Sequence, residues 1–193
     1  CKVPFRECLE PLDSSRKLAL RLGDTEYAAT CATAHFLTQL DISTIPDLLK
    51  TIRAARDSAL QCGQELNLCT SQPSLLLLLS LSKRQDGDFE VLRGEVYTEA
   101  QFAQMKHERE SVFLWAQVCR MAVSYILCNY EEAARYSYDC QPLFRGPNGL
   151  GDCSVAMFFD GLNNIALGSR KKGAGRRRCL RTARTRLGRI REM

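Results

Sequence analysis

Hydrophobic residues recur at intervals of three and four along nearly every long segment of the chain, while strict alternation of apolar and polar residues is almost absent. The first spacing is typical of one buried face of an α-helix, and the second is typical of a half-buried β-strand. The pattern therefore predicts an all-α chain. Because the predicted helices follow one another through short turns, we expect stacked antiparallel helix pairs, a tetratricopeptide-like α-solenoid.

The predicted helices begin or end at local sequence signals. Residues 13–15 can cap the first helix, and Gly23 ends it. Pro73 either kinks the fourth helix or opens its main part. Residues 83–94 and 146–151 contain clusters of Gly, Asp or Pro and are predicted to be loops. The predicted helices cover residues 13–22, 25–37, 46–62, 64–82, 98–108, 110–127, 130–141, 154–168 and 175–191.

Two segments about a hundred residues apart, 22–28 and 127–133, share one pattern in which an apolar helix end is followed by a turn and then by Glu and Ala. This pattern is similar to the hinge of tetratricopeptide repeats, where Gly permits a tight turn and Ala lets two helices approach. In the second segment Asn129 is expected to tolerate the left-handed conformation. The hinge residues are predicted to be Gly23, Asp24, Ala28, Asn129, Tyr130 and Ala133.

Together with the stretch 158–162, which follows a Gly/Pro-rich loop, these two hinges occur in an order that resembles the helical repeat region of large AAA/STAND-type predicted ATPases. Those multidomain signalling proteins carry kinase-like, GAF and histidine kinase or cyclase domains. The resemblance implies a non-catalytic interaction and spacer segment in signal transduction, with ATP hydrolysis and phosphotransfer in neighbouring domains. It also implies that the chain is a fragment, and that its partners are those domains or other proteins in the cytoplasm.

Charge divides the chain unevenly. The segment 170–193 holds eleven of the 27 basic residues and one of the 22 acidic residues. The domains are accordingly predicted as a helical repeat domain over residues 1–169 and a basic amphipathic helix over residues 170–193, which begins a truncated further repeat. An apolar stripe in that helix is predicted to pack against neighbouring helices. Its members are Leu180, Ala183, Leu187 and Ile190.

Three interpretations of the basic helix remain open: a solvated face, a surface for an acidic partner within the protein, or a surface for nucleic acid or lipid. The alternative function is therefore a helical module that binds nucleic acid or an acidic surface through this tail. No aromatic side chain is interleaved for base stacking, which disfavours nucleic acid. Trp115 is expected either to pack in the core or to anchor a partner. The candidate interaction surface comprises Trp115, Arg176, Arg177, Arg178, Arg181 and Arg184.

Catalytic and cofactor signatures are missing from the sequence. The segment 168–173 has the spacing of a phosphate-binding loop but lacks its Lys and Ser/Thr, and the two histidines, His35 and His107, belong to no catalytic motif. The ten cysteines form no C-x-x-C pair and are expected to be reduced and mostly buried. The longest apolar run is too short to cross a bilayer. We expect no enzymatic activity, no cofactor, no metal and no membrane span.

Overall fold

The computed structural model describes residues 5–39, 43–82, 99–145 and 151–191, and within these ranges every regular element is helical. The chain is all-α, as the hydrophobic spacing predicts. A short 3-10 helix, Phe5–Cys8, precedes the first α-helix. The α-helices are α1 (Leu9–Leu22), α2 (Thr25–Gln39), α3 (Ile45–Gln61), α4 (Glu65–Ser82), α5 (Glu99–Glu108), α6 (Glu110–Ile126), α7 (Tyr130–Asp139), α8 (Gln141–Arg145), α9 (Gly151–Arg170) and α10 (Gly173–Arg191).

The helices group into two compact units, Cys1–Tyr97 and Thr98–Met193. The predicted division lies elsewhere, at residue 169, because the change in charge there suggests a boundary. In the structure α10 packs along α9, so the basic helix is part of the second unit. Solenoid stacking of the helix pairs remains a prediction.

Three helix pairs, α1–α2, α3–α4 and α6–α7, turn through the same backbone geometry. The residue at the turn has a left-handed backbone, with φ of 76° at Gly23, 63° at Gly63 and 63° at Cys128. The next amide donates to the carbonyl five residues earlier, over 2.9, 2.8 and 2.8 Å respectively. This is the hydrogen bond of a Schellman motif. The two predicted hinges thus share one conformation, and a third turn adopts it as well.

The left-handed residue of the second hinge is Cys128, whereas the sequence placed that conformation at Asn129. The φ angle of Asn129 is −90°. The Schellman motif requires the left-handed backbone at the residue directly before the amide that donates to the carbonyl five residues earlier, which is the position that Gly23 holds in the first hinge. The Asn129 side-chain nitrogen Nδ2 donates to Glu132 Oε2 over 2.7 Å at the start of α7.

The first unit is built on an apolar cluster shared by α2, α3 and α4. Thr44 caps α3, since its hydroxyl accepts a hydrogen bond from the amide of Asp47. Pro73 lies inside the continuous helix α4 and is fully buried, so it does not open that helix. The buried members of the cluster are Phe36, Leu48, Ile52, Leu75 and Leu78.

Several helix boundaries differ from the predicted ones by two to four residues, among them those of α1 and α7. Helix α1 begins at Leu9, four residues before the expected cap, because the Asp13 carboxylate pairs with Arg16 and Lys17 within the helix and does not cap it. Helix α7 ends at Asp139, and the short helix α8 follows it where the sequence predicted a single helix. The predicted loop 83–94 and residues 146–150 of the predicted loop 146–151 lie outside the described residues, and Gly151 is the first residue of α9.

The second unit has its core among α6, α7, α8 and α9. Trp115 packs against this core and is partly buried, as one of its two predicted roles requires. Eleven residues of α6 are buried, which explains why nearly all of its central residues are apolar. The buried members of the core are Val118, Met121, Ala133, Cys140, Phe144, Cys153, Ala156 and Met157.

Candidate functional site

The last helix pair, α9 and α10, packs with an unusually small separation at Gly161 of α9 and in ordinary van der Waals contact at Gly168. A Cβ atom on Gly161 would lie 2.9 Å from Leu187 Cγ, and one on Gly168 would lie 3.4 Å from Cys179 Cβ. These contacts run in opposite directions along the two helices, so the pair is antiparallel. The glycines allow the two backbones to approach, which fixes the position of α10 on α9.

Arg186 of the basic helix points into the protein. Arg186 Nε lies 2.9 Å from Asp160 Oδ2, and the two side chains are 15% and 4% exposed. Asp160 Oδ1 also accepts hydrogen bonds from the Ser137 hydroxyl over 2.6 Å and from the Asn164 amide over 3.0 Å. The buried carboxylate therefore has partners on α7, α9 and α10, as a buried charge requires.

Arg186 and Arg189, which lies one turn further along α10, also contact Phe144. The Arg186 guanidinium stands 3.8 Å from the centre of the Phe144 ring, and Arg189 donates to the backbone carbonyl of Phe144. Phe144 belongs to α8 and is itself buried. These arginines thus join α10 to the interior of the second unit, and they do not belong to its outer basic surface.

The arginines of the candidate interaction surface lie on α10 and are exposed. These are Arg176, Arg177, Arg178, Arg181 and Arg184. Three more exposed cations, Arg170, Lys171 and Lys172, surround the turn before α10. The predicted surface is therefore brought together on one helix with the exception of Trp115, which packs against the core of the second unit.

An apolar groove opens between α9 and α10, with a volume of about 450 Å³. Ile165 of α9 is 43% exposed in it, and Phe158, two turns earlier on the same face of α9, is 46% exposed. A Cβ atom on Gly188 would have no neighbour within 4 Å, so there is open space above this glycine. The groove is lined by Ile165, Leu180, Ala183, Arg184, Leu187, Gly188 and Arg191.

The groove combines the apolar stripe of α10 with arginines of the same helix, and these two features suggest different kinds of partner when each is considered alone. The apolar stripe of the tail helix is only partly used in packing on α9, since Leu180 and Leu187 also line the groove. Two arginines, Arg184 and Arg191, stand at its polar rim. Sequence reasoning missed this surface because Ile165 and Gly188 belong to different helices.

The predicted hinge residues serve the packing of helix pairs. Ala28 and Ala133 are buried where their helices begin to approach the preceding ones. The Tyr130 backbone carbonyl accepts a hydrogen bond from the Asn163 amide over 3.1 Å. The side-chain hydrogen bond with Cys128 and burial raise the pKa of Tyr130. These residues are structural and lie apart from the groove lining.

The two histidines lie in different units of the chain. His35 is partly buried on α2, and His107 is exposed on α5. Burial, reinforced by Asp139 and Asp160, raises the pKa of Cys140 to about 12, so this residue is a thiol at neutral pH.

The described residues contain no group of three or more His, Cys, Asp or Glu placed to hold a metal ion. None of the helices within them is both long and apolar enough to cross a membrane. Compared with known proteins, the chain matches no family model, no curated protein and no solved structure.

Proposed function

We propose that the chain is a non-catalytic helical interaction module, and that the groove between α9 and α10 is its docking surface for a helix of another domain or protein. The observation that carries this proposal is the apolar groove itself, in whose lining Ile165 is 43% exposed. In the multidomain signalling ATPase that the sequence resembles, such a module would act as a spacer between domains and as a site where they dock.

The shape of the groove supports a helix as the ligand. An amphipathic helix binds a groove through side chains at positions i, i+3, i+4 and i+7. Leu180 and Leu187 stand two turns apart along one wall, which matches this spacing. The open space at Gly188 lets the partner's side chains or backbone come close to α10. Covering the exposed parts of Ile165 and these leucines would contribute about 25 cal/mol for each Å² removed from water.

A second candidate function is supported by the exposed cations at the α9–α10 turn. Arg170, Lys171 and Lys172 are followed within a few residues by three exposed arginines, residues 176–178. Such a cluster attracts phosphate groups, and binding of this kind weakens steeply as salt is added. The nucleic-acid alternative predicts this salt dependence together with complete loss of binding when these cations are replaced by glutamine.

Site-specific cross-linking tests the docking function. The photoreactive amino acid p-benzoylphenylalanine is placed at Ile165 in the groove, and a matched variant carries it at Leu60 of α3, which is 53% exposed outside the second unit. After illumination in the cells that make the protein, mass spectrometry identifies the cross-linked peptides. We expect one discrete segment with helical apolar spacing to be captured from position 165 and to be absent at position 60. Capture of the same set of peptides from both positions would contradict the docking function.

A fluorescent single-stranded RNA provides the test of the second candidate. Under the docking proposal, the RNA binds weakly at 150 mM salt, and its binding is unchanged by replacement of Ile165 with aspartate. Tight RNA binding that competes with the cross-linked segment would favour the nucleic-acid function instead.

A further inference from the structure

We infer that the ligand of the α9–α10 groove is an acidic amphipathic helix that carries apolar residues in a heptad repeat. This inference rests on the proposed docking function and adds to it the chemistry of the partner. It comes from the spacing of the residues along α10 and from the sign of the charge beside the groove.

The groove wall on α10 has a seven-residue repeat. Leu180 and Leu187 line the groove seven residues apart, and so do Arg184 and Arg191. Arg177, one further step toward the start of the helix, is exposed and continues the arginine row. Seven residues of helix correspond to about 10.5 Å. A row of leucines flanked by a row of charges at heptad spacing is the arrangement that two-stranded helical packing uses.

The charge of the groove rim selects the partner. The helix α10 contains no acidic residue, so nothing within it neutralises Arg177, Arg184 and Arg191. In coiled-coil pairs, charges that flank the apolar seam determine which helices associate. Carboxylates also form the strongest paired hydrogen bonds with guanidinium groups. A partner helix with Glu or Asp at the facing positions is therefore the complementary ligand.

Other ligands fit this surface less well. A second copy of α10 would bring two rows of arginines together, and like charges at such positions repel. A nucleic acid would pair with the arginines but would leave the apolar surface of Ile165 and Leu187 without a matching group. An acidic amphipathic helix satisfies both parts of the groove at once.

Two glycines in α10 allow a matched test. A side chain at Gly188 would enter the open groove without a steric conflict at Cβ, since nothing lies within 4 Å. Gly175 lies in the same helix outside the groove lining, and its Cβ would make only ordinary contacts with Lys171, the nearest at 3.7 Å. Gly188→Leu should therefore fill the groove, while Gly175→Leu makes the same chemical change elsewhere. Both replacements favour helix formation, so neither is expected to unfold α10.

The experiment measures binding of labelled 21-residue helical peptides to the full chain by fluorescence anisotropy. One peptide carries Leu in a heptad repeat with Glu beside it, and two others have the same Leu with Gln or Lys in place of Glu. We expect the Glu peptide to bind the unchanged protein, to bind Gly175→Leu equally, and to lose roughly tenfold or more in affinity for Gly188→Leu. The Gln peptide should bind about tenfold more weakly than the Glu peptide, and the Lys peptide more weakly still.

The outcomes distinguish failure of the inferred acidic ligand from failure of the docking function. If the Glu and Gln peptides bind equally and Gly188→Leu abolishes both, the docking function stands and the acidic partner is wrong. If no peptide binds, or if Gly188→Leu binds as well as Gly175→Leu, the inferred ligand of the groove is wrong, whatever the cross-linking experiment shows. Self-association of the chain that Gly188→Leu abolishes would identify a second copy as the ligand and would also overturn the inference. In the reciprocal variant, Arg184→Glu, the preference should shift from the Glu peptide toward the Lys peptide.

Discussion

Arg186 of α10 pairs with Asp160 of α9 through an Nε to Oδ2 distance of 2.9 Å, although the two residues are 26 positions apart in the sequence. Both side chains are largely buried, and the carboxylate is also held by Ser137 of α7. An arginine from the most basic part of the chain thus forms a buried ion pair that joins α10 to α9. This contact distinguishes the structural arginines of α10 from those that face the groove.

Loss of this arginine should destabilise the second unit strongly. In Arg186→Met the Asp160 carboxylate stays buried without its cation, which costs about 3–5 kcal/mol in the free energy of unfolding. The exposed Arg181→Met should change it by less than about 0.5 kcal/mol. Urea unfolding followed by the fluorescence of Trp115 reports on this unit, because Trp115 packs against its core.

The double variant Asp160→Asn with Arg186→Met serves as the control for this prediction. It removes both charges together, so it should be more stable than Arg186→Met alone. Equal unfolding free energies for Arg186→Met and Arg181→Met would show that the ion pair contributes nothing to stability.

The glycines of the α9–α10 pair should respond in opposite ways to alanine. In Gly161→Ala the new Cβ meets Leu187 Cγ at 2.9 Å, so the Leu187 side chain or the helix that carries it must shift, at a cost of about 1–3 kcal/mol. In Gly188→Ala the methyl group enters open space and raises helix propensity, which should stabilise by up to about 1 kcal/mol. Thermal unfolding of the two variants beside the unchanged protein provides the comparison. Similar shifts for both would contradict the close packing of α9 on α10.

The left-handed backbone of Cys128 offers a stabilising change. A residue with a Cβ pays roughly 1–2 kcal/mol to adopt this conformation, whereas Gly adopts it without strain. Gly has the greater conformational entropy in the unfolded chain, which offsets part of this gain. Cys128→Gly should therefore raise the free energy of unfolding by about 0.5–1 kcal/mol. Cys128→Ala, which removes the thiol and keeps the Cβ, is the control and should not stabilise. A loss of stability in Cys128→Gly relative to this control would refute the assigned backbone conformation.

Much of the helical architecture follows from the sequence because it depends on local signals. Apolar spacing places the helices within a few residues of their observed positions, and Gly23 ends α1 as expected. The groove requires knowledge of which face of α10 meets α9, and no local pattern specifies that. Arg186 resembles ten other basic residues of the tail, although its position between Ala183 and Ile190 on the apolar stripe could have indicated that it points inward.

The buried Cys140 thiol predicts a loss of stability at alkaline pH. Its pKa is raised from 9.0 to about 12 in the folded protein, mainly by burial. Above pH 9 the unfolded chain releases the thiol proton while the folded protein keeps it, so this group lowers stability as the pH rises from about 9 to 12. Cys140→Ala removes the thiol and therefore its contribution to the pH dependence. Between pH 8 and pH 11 the free energy of unfolding of this variant should fall less than that of the unchanged protein. Parallel pH dependences in the two proteins would contradict the raised pKa.

The central claim, that the α9–α10 groove binds a partner helix, is tested most directly by methyl NMR spectra of the full chain during titration with the acidic helical peptide. The account predicts that the methyl signals of Ile165, Leu180 and Leu187 shift, while those of Leu48 and Leu78 in the core of the first unit stay in place. The same titration of Gly188→Leu should leave all of these signals unchanged. Shifts that are absent from the groove methyls, or that persist in Gly188→Leu, would contradict the claim.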